Sequence, residues 1–238
     1  MQKNKGVLYL IPNVISDNTE LSVLNNQIKY YISKINIYFV ENIRNARRYI
    51  RKVNRDIDID KIIFISIGKH SKLDINNDFI LPIVSGDNVG IISESGLPCI
   101  ADPGFDIVRV AHDLEIKVVP MVGPSSIFMT LMASGLNGQN FTFHGYLPID
   151  KKELKNKIKQ LEYISKKNIQ SQIFIETPYR NMKLFQDLIK MCDNETYLCI
   201  GAEVTGKEER IITKKIKEWK LLPTPKIHKI PSVFILLS

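Results

Sequence analysis

Short apolar runs that stop abruptly at a carboxylate, a proline or a turn are the feature that most restricts how this chain can fold. Val7 to Ile11 ends at Pro12-Asn13, Ile37 to Val40 at Glu41-Asn42, and Val89 to Ile92 at Ser93-Glu94. Ile173 to Ile175 ends at Glu176-Thr177-Pro178, and Tyr197 to Gly201 at Ala202-Glu203. A sixth run, Val118 to Val122, leads through Gly123-Pro124 into Ser125-Ser126 and a helical stretch closed by Gly135. Runs this short, punctuated in this way and alternating with helical patterns, predict an α/β fold. The alternation favours mainly parallel pairing in the first half. In the last third, Ile211-Ile212 and Val233 to Leu237 read as further strands that admit antiparallel pairs, so a mixed sheet is expected there. Residues 89 to 104 are the most informative stretch. Gly96 and Pro98 break the chain after the strand, Asp102 reads as a helix N-cap with Pro103 behind it, and Phe105, Val108, Ala111 and Leu114 recur at helical spacing. In open α/β sheets, loops of this kind lie at the carboxyl ends of strands, where ligands bind.

A chain of 238 residues accommodates two domains of ordinary size, expected at 1–120 and 121–238. The three cysteines, Cys99, Cys192 and Cys199, have no metal-ligand or disulfide-framework spacing, which fits a reducing cytoplasm. The first residues, Met-Gln-Lys-Asn-Lys-Gly, precede only a short apolar stretch with no cleavage site, and no apolar run is long enough to span a bilayer. The net charge of +8 points to an anionic partner. Lys is spread along the chain, but Arg is not: five of eight arginines (Arg44, Arg47, Arg48, Arg51 and Arg55) fall within twelve residues. Their spacing puts them on one helical face beside an apolar stripe of Val40, Ile43, Ala46, Ile50 and Val53. A solvated helix face is the plain reading; a surface for a polyanion is the sharper one, because the planar guanidinium fork suits phosphate. Residues 118–149 carry no Asp, Glu, Lys or Arg, so this span is expected to be buried between domains or to form a subunit interface. Asp150 to Lys167 follows as a Lys-rich helix with Leu154, Ile158 and Leu161 as its apolar stripe.

Four of the strands end in a carboxylate, Glu41, Glu94, Glu176 and Glu203, and parallel strands would bring these to one rim. Helix capping accounts for such residues singly; together they suit a ligand rich in ammonium, amide and hydroxyl donors, or a general base for an alcohol. No His-x-His or Asp-x-Asp pattern supports a metal site. Ser125 and Ser126 lack the context of a hydrolase nucleophile, and His70, His112, His144 and His228 form no triad-like pattern. No phosphate-binding GxxxxGK[ST] or GxGxxG motif occurs. Cys99 has no cationic neighbour in sequence to activate it.

The order of these motifs resembles the tetrapyrrole methylase superfamily, the class III S-adenosylmethionine-dependent methyltransferases. Within it, the chain looks like a short paralogue of the family that 2′-O-methylates a cytidine of 16S ribosomal RNA. Ile11-Pro12-Asn13-Val14-Ile15-Ser16-Asp17 is similar to that family's first loop, Glu41-Asn42-Ile43-Arg44 to its Glu-Asp-Thr-Arg motif, and Ser93 to Pro98 with Asp102-Pro103-Gly104 to its Ser-Asp-Ala-Gly-Thr-Pro and Asp-Pro-Gly motifs. Val119 to Pro124, Gly145-Tyr146-Leu147-Pro148, Glu176 to Arg180, and Glu203-Val204-Thr205 with Glu209 follow in the family's order. Asn42, Glu94, Leu97 and Gly206 depart from its pattern. The resemblance implies two α/β domains with the cofactor, S-adenosylmethionine, in the cleft between them, and a homodimer. By position, the cofactor would meet Pro12, Ser93, Glu94, Gly96, Pro98, Ile100, Asp102, Ser125, Ser126, Glu176, Thr177, Ala202, Glu203, Pro231 and Ser232. Glu41 is the expected catalytic base, with Arg44, Arg47, Arg48 and Arg51 holding RNA phosphates. A tetrapyrrole-type small-molecule methylase and a catalytically inactive RNA-binding paralogue are the alternative readings.

Overall fold

The computed structural model describes residues 4–68, 71 and 73–238, so His70 lies outside the described residues. The chain forms two compact units, one reaching to Pro124 and the other running from Ser125 to Ser238, a division four residues beyond 120/121. Among the described residues, no helix is long and apolar enough to cross a membrane.

Unit 1 contains, in order, β1 (Val7–Ile11), α1 (Glu20–Val23), α2 (Gln27–Ile32), β2 (Ile37–Val40), α3 (Ile43–Val53), β3 (Ile63–Ser66), α4 (Leu81–Val84), β4 (Val89–Ile92), α5 (Phe105–Asp113) and β5 (Lys117–Pro120). Its five strands pair in the order β3-β2-β4-β1-β5, all parallel. A parallel sheet must be covered on both faces, and alternating side chains divide accordingly. Ile11, Tyr38 and Ile92 pack with Ile28 and Ile32 of α2 and Ala46, Tyr49 and Ile50 of α3. Leu8, Phe39, Val89 and Ile91 pack on the other face with Ile83 of α4 and Ile107 and Ala111 of α5.

Unit 2 contains α6 (Ser126–Ser134), β6 (Phe141–Tyr146), α7 (Lys151–Asn168), β7 (Ser171–Ile175), α8 (Asn181–Met191), β8 (Tyr197–Ala202), β9 (Arg210–Lys215), α9 (Ile216–Trp219) and β10 (Ser232–Leu237). The sheet order is β6-β7-β10-β8-β9; β6 and β7 are parallel, and the remaining neighbours are antiparallel. Ile127 and Leu131 of α6 cover one face, against Ile173, Cys199, Val233 and Ile235. Helices α7 and α8 cover the other, through Leu154, Ile158, Leu161, Leu184 and Leu188. The apolar stripe expected between Asp150 and Lys167 is the buried face of α7, whose N-cap Asp150 accepts backbone N–H bonds from Lys152 and Glu153 at 2.9 Å each.

Two expectations are corrected. Asp102 does not cap α5: the helix begins at Phe105 after Gly104, and no side chain caps it. Phe105 is 60% exposed, and Ile107 takes the buried place expected of it. The uncharged span 118–149, expected to be buried between domains or to form a subunit interface, exposes Val122 (78%), Phe128 (50%) and Met132 (81%) in the single chain.

Candidate active site

In unit 1 the chain leaves β1 for β2 over the face covered by α2 and leaves β4 for β5 over the face covered by α5, although β1 and β4 are neighbours. This is a topological switch point, and the crevice outside its strand ends is where ligands bind in such sheets. Two loops meet there. Asn13, buried after β1, donates its side-chain amide to the carbonyls of Ser93 (3.0 Å) and Glu94 (3.2 Å), and its backbone N–H to Gly96 O at 2.8 Å. Ser93 Oγ donates to Gly96 O at 2.6 Å, and the buried Tyr49 hydroxyl donates to Pro12 O at 2.6 Å. The end of β5 closes in from the other side. A Cβ on Gly123 would lie 2.2 Å from Pro12 Cβ, so only glycine permits this approach. Pro12, Ser93, Gly96 and Pro98 are buried in this arrangement, whereas Ile100 is exposed.

The acidic residues have distinct roles. Glu94 accepts from Asn42 N–H (3.1 Å) and from Asn45 Nδ2 (2.6 Å), so its carboxylate sits at the positive N-terminus of α3. Asn42 itself caps α3 by accepting from Asn45 N–H at 3.1 Å. Asp102 is held largely out of water. Its burial, with the Glu41 and Glu94 charges, raises its pKa to about 7. Burial and Asp102 push the Cys99 thiol up to about 11, which keeps it protonated and unreactive at neutral pH.

In unit 2 the register brings a second set together. Ala202 faces Ser232, Ile175 faces Val233, and Glu203 N–H donates to Pro231 O at 3.1 Å. Glu176-Thr177, Ala202-Glu203 and Pro231-Ser232 therefore share one end of the sheet. Thr130 of α6 packs on Gly201, where a Cβ would meet its Oγ1 at 2.3 Å, and Ser134 O accepts from Thr213 Oγ1 of β9 at 2.7 Å. The helix thus runs away from that end, leaving Ser125 and Ser126 at the same rim. Ser125 is its N-cap. Glu176 is occupied, bonded to Arg180 at 2.7 Å and to Thr177 N–H at 2.7 Å. The four strand-end carboxylates follow strands of two sheets, Glu41 and Glu94 in unit 1 and Glu176 and Glu203 in unit 2.

The basic face is as the spacing predicts, with one amendment. Arg44, Arg48, Arg51 and Arg55 are exposed and carry no ion pair with any described residue, whereas Arg47 is bonded to Asp60. These side chains and Lys52 border an open trough of about 680 Å³ along α3. In the apolar stripe, Tyr49 is buried and Ile43 is 41% exposed.

Four buried side-chain atoms have no hydrogen-bond partner among the described residues: Asp102 Oδ2, Thr130 Oγ1, Asn181 Oδ1 and Thr205 Oγ1. Buried polar atoms are ordinarily paired, and each of these lies beside a candidate position. Asp102 is one. Thr130 rests on Gly201, Thr205 follows Glu203 by two residues, and Asn181 donates to Ile230 O (2.6 Å) next to Pro231. Asn13 and Asn181 were not singled out by residue type, because their importance depends on partners 49 to 81 residues away. Of the histidines, His144 Nε2 pairs with Gln172 Oε1 at 2.7 Å and burial lowers its pKa, while His112 and His228 are exposed.

No protein-family model matches the chain. It is 30% identical over 210 residues to the ribosomal RNA small subunit methyltransferase I of Buchnera aphidicola (subspecies Schizaphis graminum), an alignment covering 88% of this chain and 70% of that protein. The chain belongs to this methyltransferase family, within the tetrapyrrole methylase superfamily. The Bacillus subtilis member is 27% identical over 217 residues, covering 91% and 70% of the two chains. The crystal structure of the methyltransferase CobJ matches the fold with a TM-score of 0.62 over 98% of this chain and 94% of that one, at 12% identity. The family makes this protein an S-adenosylmethionine-dependent methyltransferase. Asp102 Oδ2 and Asn181 Oδ1 are free to accept, and the Thr130 and Thr205 hydroxyls to accept or donate, which fits a cofactor whose amino, adenine and ribose groups present N–H and O–H donors as well as acceptors.

Proposed function

We propose that this protein methylates the 2′-oxygen of a ribose in ribosomal RNA. The observation that carries the reading is the unpaired arginine face of α3, which begins at the residue following the Glu41-Asn42 strand end. The ribosomal RNA small subunit methyltransferases to which the chain is similar support the same substrate class. The bound cofactor supplies an electrophilic methyl group. Arg44, Arg48 and Arg51 hold phosphates of the RNA strand, with Arg47 joining once its Asp60 pair opens. Pro12 with the Ser93–Asp102 loop in unit 1, and Ser125-Ser126 with Glu176-Thr177, Ala202-Glu203 and Pro231-Ser232 in unit 2, are each proposed as cofactor-binding residues. The two units are its two domains.

Glu41 would accept the proton of the 2′-hydroxyl and so make that oxygen the nucleophile toward the methyl group the cofactor would supply. Such a base contributes roughly 10²–10⁴-fold, and correct positioning roughly 7–11 kcal/mol. The protein acts as a homodimer in the cytoplasm. Exposed Phe128 and Met132 on α6 support the pairing, and three free cysteines fit a reducing compartment.

Transfer of a tritiated methyl group to unmodified small-subunit RNA and to 30S particles tests the reading. Labelled RNA is expected, with Glu41→Gln lowering turnover about 10²–10⁴-fold and leaving RNA affinity unchanged. Cofactor binding without transfer to either substrate would replace it with an inactive RNA-binding protein.

A further inference from the structure

A second, smaller recess lies inside unit 1, between the loop after β1 and the outer face of α3. It has a volume of about 240 Å³, and Asn13, Asp17, Asn45, Arg48, Lys52 and Glu94 line it. We propose that this recess receives one unstacked nucleotide of the RNA, with its phosphate on Arg48 and Lys52 and its base and sugar donors on Asp17 and Glu94. The inference rests on the RNA reading above and names where that strand enters the protein.

Size, charge and continuity argue for it. Sites for drug-sized ligands enclose about 300–1,000 Å³, so at about 240 Å³ this recess holds no more than one nucleotide, with part of it left at the mouth. Its cations are on α3, the helix that bears Arg44, Arg51 and Arg55, so a strand held along that face leads into it. Arg48 has no ion pair among the described residues, and Lys52 pairs with Glu20 (2.9 Å), which also lines the recess, and lies 3.4 Å from Asn18, with its ammonium still able to donate to a phosphate. The carboxylate of Asp17 has no partner among the described residues, and each Glu94 oxygen accepts a single bond, which leaves lone pairs for amino or hydroxyl donors.

The wall facing α3 is the Asn13–Glu94 contact that also shapes the switch-point crevice, so a nucleotide here lies directly beside the candidate cofactor loop. A recess of this volume has no room for a base together with its pairing and stacking partners. Proteins that read or modify single nucleotides take them out of the stack, and Arg guanidinium planes serve as stacking surfaces for such bases.

The test uses the full chain and a single-stranded small-subunit RNA segment carrying 2-aminopurine at successive positions. On binding, fluorescence is expected to rise several-fold at one position. The Asp17→Asn/Arg48→Ala double variant, changed only at exposed residues, should abolish the rise at saturating protein, whereas Arg44→Ala/Arg51→Ala should weaken affinity and leave the rise at saturation intact. Salt-dependent binding with no rise at any position, or a rise unchanged in the double variant, overturns the recess and leaves the RNA reading standing. Absence of salt-dependent binding overturns both.

Discussion

Asp102 shows how one residue reports on its surroundings through protons. Its carboxyl is neutral in the folded protein up to about pH 7, because burial and the Glu41 and Glu94 charges oppose ionisation, while in the unfolded chain it ionises near its ordinary value of 3.8. Between those values the native state binds the extra proton, so this group's contribution to stability is full below about pH 4 and declines as pH rises through 7. Asp102→Asn should therefore raise the thermal midpoint more at pH 8 than at pH 5; an equal change at both, read by circular dichroism, would refute the assignment. The same burial makes Cys99 slow to alkylate: at pH 7.5 iodoacetamide should modify it more slowly than the same thiol in the unfolded chain. Cys99 was legible as inert from its neighbours in sequence. The neutral state of Asp102 was not, because Glu41 lies 61 residues away and meets it only through the strand order.

At the scale of elements, α3 is the joint between the switch-point loops and the basic face. Asn42 stands where the family pattern has Asp, and the structure gives a reason for a neutral cap: Glu94 already places a carboxylate at this helix N-terminus. Asn42→Ala should cost about 1 kcal/mol in urea unfolding, the usual loss for a cap. Gly123→Ala should do more, because its Cβ would drive Pro12 aside; overpacking of this kind costs about 1–3 kcal/mol. Calorimetric affinity for S-adenosylmethionine should fall in the same variant if the Pro12 loop holds the cofactor. Eight of the ten strands were visible as apolar runs. β3 was missed because no carboxylate closes it and, as an edge strand, it leaves Ile63 exposed. β6 was missed because Thr142, His144 and Gly145 interrupt its apolar pattern and its register shifts against β7. The arginine face was legible because helical spacing is local. The Glu94 bonds to Asn42 and Asn45 were not, since they span 52 and 49 residues.

At the scale of the molecule, the uncharged span divides its apolar residues between core and surface. Ile127 and Leu131 face the sheet, whereas Phe128 and Met132 face outward and Phe128 packs edge-on against Phe141 with ring centroids 6.0 Å apart. If copies pair through this face, Phe128→Ser/Met132→Glu should shift the sedimenting species from dimer to monomer while leaving the circular dichroism spectrum unchanged. The wild-type chain sedimenting as a monomer at micromolar concentration would count against the pairing. Strand order carries one more consequence. β10 lies at the centre of its sheet, yet the ribosome makes it after every other strand described here. Until Ser232–Leu237 emerges, β6-β7 and β8-β9 have no strand to join them, and each offers an open edge to other chains. Unit 1, whose strands have by then all been made, can fold during synthesis, while unit 2 must wait for one late segment. A stop codon before that segment would leave a nascent chain with a finished first half and an aggregation-prone second half.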